Sequence, residues 1–346
     1  MEKQQDYKLF SCEGRDHMGK GDALNYFFNN LEEKGVDVLS TSFPIYATPI
    51  GNTIRELLTK EREEFGLSVQ EDLEVKMSLF ALNRLEFLEA FLLEDISNDT
   101  LIFFDRSPFS NALTIAYGMK NEENVEEEKI HSLVEIALGL DSLFVEKLNL
   151  KKCVIQLYTG EEVWESARGE DTDLYEVPQV QNLASAIYAI YQKYVGDGWK
   201  VVFTKQFDKG EGKRVWRDRD DIFNDIYSFL LERFGDFESR SGKGKRGQIG
   251  IREIMDSVYL GSKVDVDLLD DYSNSIRSND KELMYETAER VKQQICSSYG
   301  EIRFRNEDVR LAFRSVLGRY PKIGYILEYN LGEEYILKLQ EGLKGA

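Results

Sequence analysis

The stretch CEGRDHMGKGDA, Cys12 to Ala23, decides how the chain is read. It overlaps the end of YKLFSCEG (Tyr7–Gly14), an apolar run that predicts a short strand closing in a glycine turn. It leads into DALNYFFNNLEEKG (Asp22–Gly35), where Leu24, Phe27, Phe28 and Leu31 recur at helical spacing before a glycine stop. A glycine-rich loop between a strand and a helix offers backbone N–H groups and a helix N-terminus to phosphate, while a lysine neutralises the oxygens. Gly14, Gly19 and Lys20 satisfy the phosphate-loop pattern GxxxxGK[ST], with Met18 inside it, but the hydroxyl residue due after Lys20 is Gly21. Without that hydroxyl a usual ligand of Mg2+ is gone. Asp22, the next residue, either repels phosphate or holds the ion in the hydroxyl's place, directly or through water.

Outward from the loop the pattern repeats. VDVLSTSFP predicts a second strand ended by Pro44, and helical spacing follows over Ile50–Glu64 and Glu71–Asp95. TLIFFDRS (Thr100–Ser107) is a continuous apolar run ending in charge, the signature of a buried parallel strand with function at its carboxyl end. KKCVIQLYT (Lys151–Thr159) and WKVVFTK (Trp199–Lys205) repeat it. Strands alternating with helices predict an α/β fold with a parallel sheet flanked by helices over residues 1–236. SRSGKGKRGQIGIR (Ser239–Arg252), with five basic residues, four glycines and no acid, reads as a basic, glycine-rich linker over 237–252. A solvated hinge is its plain reading and a grip on phosphate or nucleic acid the alternative. Residues 253–346 read as a mostly α-helical C-terminal domain of unassigned chemistry, for which a protein partner is an open role.

Composition narrows the function classes. The 346 residues suffice for two domains, and no apolar run approaches the roughly 20 residues of a membrane helix. The N-terminus lacks a basic-then-apolar leader, so the expected location is cytoplasmic. Three scattered cysteines and two histidines argue against a disulfide framework, a zinc cluster and histidine-rich metal chemistry. A net charge of -19 makes nucleic acid an unlikely ligand except through the basic linker, and leaves room for a small anionic ligand in a local basic pocket.

Three further stretches follow the loop in order: FPIYATPIG (Phe43–Gly51), LFALNRLE (Leu79–Glu86) and FFDRSPFSNALT (Phe103–Thr114). With EGRD and the DLYE at Asp173–Glu176, they resemble the thymidylate kinase family, whose stretches read approximately FPxRxTxIG, LFxANRxE and DRYxxSxxA. The resemblance covers roughly residues 7–234. It implies a P-loop NTPase fold, ATP and Mg2+ as cofactors, phosphoryl transfer to dTMP or a related pyrimidine deoxynucleotide, and a homodimer through helices of the kinase domain. It implies roles by position. Asp16, Lys20 and Arg106 are the catalytic candidates. Gly14, Met18, Gly19, Lys20, Gly21, Asp22 and Arg168 fall to the ATP site. Asp16, Phe43, Tyr46, Phe80, Arg84, Arg106, Ser110 and Tyr175 fall to the acceptor. Asp22 and Asp105 are candidates for Mg2+ or its waters. Within the acceptor set, Phe80 resembles the ring that stacks on the base, Arg84 the arginine that reads a base carbonyl, Ser110 a polar group near the base edge, and Tyr175 a tyrosine near the sugar.

Taken alone, most of these residues have plainer readings. Phe80 on an apolar helix face reads as core, Arg84 as a surface charge and Ser110 as a helix cap, while Tyr175 reads equally as packing. The sequence also departs from the family. Gly21 replaces the loop hydroxyl, Tyr46 stands where an acceptor-phosphate arginine is expected, and Leu174 stands where an arginine commonly precedes the lid tyrosine. The lid stretch SARGEDTDLYE offers only Arg168 amid Glu170, Asp171 and Asp173. Losses in three separate elements imply a changed substrate or a weakened catalyst. The alternative to an active kinase is therefore a catalytically impaired relative acting as a nucleotide sensor, scaffold or complex subunit.

Overall fold

The computed structural model describes residues 7–16, 18–60, 62–121, 126–160, 175–210, 212–237, 245–278 and 280–344. The first half of the chain runs β1 (Lys8–Glu13), α1 (Lys20–Glu33), β2 (Val38–Ser42), α2 (Pro49–Thr59), α3 (Val69–Phe91), β3 (Leu101–Asp105), α4 (Asn111–Met119), α5 (Glu127–Leu140), α6 (Ser142–Lys147) and β4 (Val154–Tyr158). The second runs α7 (Pro178–Val195), β5 (Trp199–Phe203), β6 (Lys205–Asp208), β7 (Lys213–Trp216), α8 (Arg219–Phe234), β8 (Arg246–Gln248), α9 (Ile251–Ser257), β9 (Tyr259–Leu260), α10 (Val266–Ser278), α11 (Lys281–Ser298), β10 (Glu301–Ile302), α12 (Glu307–Arg319), α13 (Pro321–Leu331) and α14 (Glu333–Gly342). This is an α/β fold, a six-stranded sheet flanked by helices, with a helical C-terminal region. The chain forms two compact units that do not follow its linear order: the first comprises 1–40, 96–135 and 145–247, the second 41–95, 136–144 and 248–346.

The sheet runs β5–β4–β1–β3–β2–β8. β1 lies parallel between β3 and β4, with Cys12 opposite Asp105 on one side and Ile155 on the other. A strand enclosed in this way is covered on both faces, which is why β3, LIFFD, reads as an apolar run rather than an alternating one and why β1, KLFSCE, is buried from Leu9 to Glu13. The register has a functional consequence: it brings the loop after β1 and the Asp105–Arg106 pair after β3 to the same end of the sheet. Phe10, Phe28 and Phe103 join sheet to α1, with ring centroids 4.8 Å apart for Phe28–Phe103 and 5.0 Å for Phe10–Phe103, and Phe27 meets Phe223 of α8 at 5.4 Å.

The basic segment is not wholly a linker. Arg246–Gln248 forms the sixth strand beside β2, the Lys245 carbonyl accepting from Val38 N at 2.8 Å. Gly247 allows that approach, since a Cβ there would lie 2.8 Å from Leu39 Cδ2. Arg246 lies over the Phe28 ring at 4.5 Å. One of the charges that suggested a phosphate or nucleic-acid grip thus packs against the core; residues 238–244 lie outside the described set.

In the second unit α3 is the central helix. Every residue from Val75 to Phe91 is buried except Phe80, which is half-buried. Such a helix needs cover on all sides, and α2, α9, α12 and α13 supply it. Its polar residues are paired accordingly. Lys76 meets Asp72 at 2.8 Å, and Glu89 accepts from the backbone N–H of Arg305 and Asn306. Asn83 holds the FPIYAT turn, accepting from Ile45 N at 2.8 Å and donating to Thr48 Oγ1 at 3.0 Å. Gly51 is required by that turn because a Cβ there would sit 1.8 Å from the Ile45 carbonyl oxygen. Gly51→Ala is expected to destabilise the protein by roughly 3 kcal/mol or more, as overpacking against backbone does; a thermal melt checks this.

Glu86, fully buried, accepts from Thr48 Oγ1 at 2.9 Å and Asn83 Nδ2 at 3.2 Å through Oε2, and is bonded through Oε1 to the Tyr259 hydroxyl. Tyr259 in turn lies 3.0 Å from the Tyr335 hydroxyl. Burial pushes Glu86 up to about 7 against the lowering effect of these bonds. A carboxyl raised in the fold stabilises it at low pH, and that contribution is lost as pH rises through about 7. Buried Glu13 in the first unit, also near 7, acts in the same direction. Glu86→Gln reproduces the neutral acid, with its N–H2 toward Tyr259 and its oxygen toward Thr48 and Asn83. It is expected to flatten part of the fall in melting temperature between pH 5 and 8, leaving the share due to Glu13.

Candidate active site

The loop after β1 owes its shape to two glycines. Gly14, at φ 143°, would place a Cβ 2.6 Å from the Leu157 carbonyl oxygen, and Gly19, at φ 75°, would place one 2.9 Å from the Trp216 ring. Gly19 is the N-cap of α1, and no side chain caps that end. The first amides of a 14-residue helix therefore stay open to an anion. Met18 is buried beneath the loop, whereas Gly21 and Asp22 are exposed on the first turn, where a carboxylate also favours the helix dipole.

Two cations converge here, each held by a carboxylate. Lys20 Nζ is paired with Asp105 Oδ1, and Arg106 Nη2 with Asp16 Oδ1. Arg106 has φ 70°, a left-handed conformation unusual for a residue with a side chain, at the carboxyl end of β3; its backbone N donates to Cys12 O at 3.0 Å. Strain of this kind persists only where the surroundings fix it. Gln181, near the start of α7, closes the arrangement: its Nε2 donates to Asp16 Oδ2 at 2.7 Å and its Oε1 accepts from Asp16 N at 2.9 Å. The expected trio Asp16, Lys20 and Arg106 is thus assembled together with Asp105. Gln181 carried no sequence signal, since a glutamine far along the chain belongs to no motif.

Beneath the loop, Glu13 is fully buried and accepts from Ser107 Oγ and Ser110 Oγ, both at 2.5 Å. Burial raises its carboxyl to about 7 in spite of those two bonds. Burial also pushes up the Cys12 thiol and the Tyr188 phenol, so neither supplies an ionised nucleophile. Ser110, expected near a base edge, is turned to Glu13. Tyr175, expected near a sugar, is buried and donates to Thr114 Oγ1 at 3.0 Å, because the start of α7 packs it onto α4. Arg168 and His17 lie outside the described residues.

The remaining acceptor candidates belong to the second unit. Phe80 is the one partly exposed position in the buried run of α3, as a ring available to a ligand would be. Arg84 is not available in this way. It is 2% exposed and forms a two-pronged pair with Asp141, Nε to Oδ1 and Nη2 to Oδ2 both at 2.7 Å. A buried guanidinium needs such a partner, and removing either member would leave an uncompensated charge. Phe43 is likewise committed to packing, 5.2 Å from Phe87 and 5.7 Å from Phe144. Tyr46 is half-buried and meets Tyr285 of α11 edge-on at 5.3 Å.

The donor set suits a triphosphate and Mg2+: a loop whose glycines leave a cradle, open helix amides, a lysine, and two carboxylates as hard oxygen ligands. Among the described residues no group of three or more His, Cys, Asp or Glu forms a metal cluster, and no helix is long and apolar enough to cross a membrane.

Comparison with known proteins agrees with these motifs. The sequence model of the thymidylate kinase family matches residues 12–155. A thymidylate kinase of Desulfotalea psychrophila is 28% identical over 182 residues, covering 52% of this chain and 80% of the relative. One from Exiguobacterium is 30% identical over 145 residues, 41% of this chain; the chain spans 63% of that relative's length. Among solved structures, the thymidylate kinase of Candida albicans matches 67% of this chain and 94% of its own at 20% identity, with a TM-score of 0.43.

Proposed function

We propose that this chain, a member of the thymidylate kinase family, is a nucleoside monophosphate kinase that transfers the ATP γ-phosphate to dTMP or a related pyrimidine deoxynucleotide. The observation carrying this reading is the convergence of Lys20, Asp105, Arg106 and Asp16 at the open N-terminus of α1. In-line phosphoryl transfer asks the protein for positioning and charge neutralisation and needs no covalent intermediate. Lys20 exchanges Asp105 for phosphate oxygens and spreads the developing charge. Arg106 orients the acceptor phosphate, and Asp16, fixed by Gln181, is the positioning residue that aims it. Asp105, with Asp22, would hold Mg2+, which when bound neutralises charge on the triphosphate. The resemblance assigns the base to Phe80 and Arg84 of the second unit, and there Arg84 is held by Asp141.

Calorimetric titration with ATP and dTMP, with and without Mg2+, followed by ADP release over a panel of monophosphates, tests the proposal. Mg2+-dependent ATP binding and turnover confined to pyrimidine acceptors is the expected result. The second reading, an impaired nucleotide-binding relative, is favoured by Gly21, Tyr46 and the engaged Arg84; ATP binding without turnover would establish it. If Asp22 works as a ligand, replacing Gly21 by Ser and Asp22 by Thr together lowers turnover by about tenfold or more, and a rise would identify a degraded loop.

A further inference from the structure

The hairpin β6–β7 takes no part in the chemistry described so far. Its last residue, Trp216, lies directly against Gly19: a Cβ on that glycine would be 2.9 Å from Cζ3 and 3.3 Å from Cη2 of the indole. The ring is nevertheless 55% exposed. The contrast with Trp199 is instructive, since that indole is 6% exposed and donates to Gln156 Oε1 at 3.0 Å. An indole left half in water beside a phosphate loop is a large flat surface held ready. The Lys205 ammonium sits 4.8 Å from its ring centroid, and the exposed Arg214 guanidinium reaches Gly160, where a Cβ would be 2.5 Å from Nη1. From Lys200 to Arg217 the chain carries six lysines and arginines against Asp208 and Glu211, in a protein whose net charge is -19. Flat aromatic surface, local positive charge and the end of a phosphate loop together match a ligand that has both a nucleobase and phosphates.

We infer that Trp216 is the platform on which the base of the donor nucleoside triphosphate stacks, on the ring surface that the Lys205 ammonium leaves free. The inference rests on the kinase reading above, which places the triphosphate at Lys20. Stacking exploits the π-face that every base has, so this platform accepts several donor triphosphates with little discrimination.

The test is titration of the full chain and its Trp216→Ala and Trp216→Phe variants with Mg2+-ATP and with Mg2+-tripolyphosphate, which has no base. Trp216→Ala is expected to weaken ATP about tenfold while tripolyphosphate changes by less than about twofold, and Trp216→Phe to restore most of the loss. Unchanged ATP affinity in Trp216→Ala, with tripolyphosphate still bound by the wild type, overturns the platform and leaves the kinase reading standing. Equal losses for both ligands assign Trp216 to holding the loop and also overturn it. Failure of the wild type to bind either ligand removes the reading and the platform with it. Should the alanine variant not fold, indole emission decides. Quenching by ATP but not by tripolyphosphate, lost in Trp216→Phe, supports the platform, and quenching that survives that substitution refutes it.

Discussion

A chain ending at residue 247 is expected to be insoluble or to lack a cooperative melt, although it retains every motif of the proposed site. Cutting there strips α3 of α9, α12 and α13 and α2 of α11 and α13. Val258, Tyr259, Val309, Phe313, Ile323, Ile326 and Leu327 are among the buried side chains that would go. Each buried apolar side chain is worth about 1.5–3 kcal/mol, against a total stability of about 5–15 kcal/mol. Polar losses add to this. Glu86 loses Tyr259, Glu89 loses the N–H groups of Arg305 and Asn306, and Arg55 loses Glu289, its partner at 2.7 Å. Soluble expression, far-ultraviolet dichroism and thermal melting of residues 1–247 would decide the matter. A soluble, cooperatively melting fragment would mean that the helical tail is an addition to a self-sufficient domain.

Lys20→Ala is expected to lower turnover by about a hundredfold to a thousandfold, the usual effect of removing one group aimed at developing charge. Its effect on stability should be small by comparison, because Lys20 and Asp105 are not fully buried and water can screen the carboxylate left behind. Steady-state ADP release gives the first quantity and a thermal melt the second. A variant that melts like the wild type and turns over equally fast would remove Lys20 from the mechanism, and the proposed transfer chemistry with it.

What the sequence made legible were local patterns. The apolar run closing in a glycine turn became β1, the runs ending in charge became β3, β4 and β5, and the helix after the phosphate loop begins within two residues of its expected start. The loop residues and the Asp105–Arg106 pair met because one strand register joins them. Partnerships over long separations were not legible. No periodicity in α3 announces that Arg84 will face Asp141, that Glu86 will meet Tyr259, or that Gln181 will bracket Asp16. The same gap explains Ser107 and Ser110, whose hydroxyls satisfy a buried Glu13 that motif reading left without a role. The basic segment misled in a simpler way. Glycine and lysine read as flexibility, but glycine also permits close approach of two strands, as Gly247 does against Leu39.

The interleaving of the two units sets an order on assembly during synthesis. Ribosomes add about 5–20 residues per second, and domains fold as they emerge. The second unit takes its first segment from 41–95 and its last from 248–346, so α3 waits while more than half of the chain is made. For roughly ten seconds or more, at those rates, only α2 of its native cover is present, and the faces that α9, α12 and α13 will take stay bare. The nascent chain therefore presents a long apolar helix to whatever folding machinery meets it before its own tail can claim it. The Glu86–Tyr259 contact, joining residues 173 positions apart, can form only at the end of that wait.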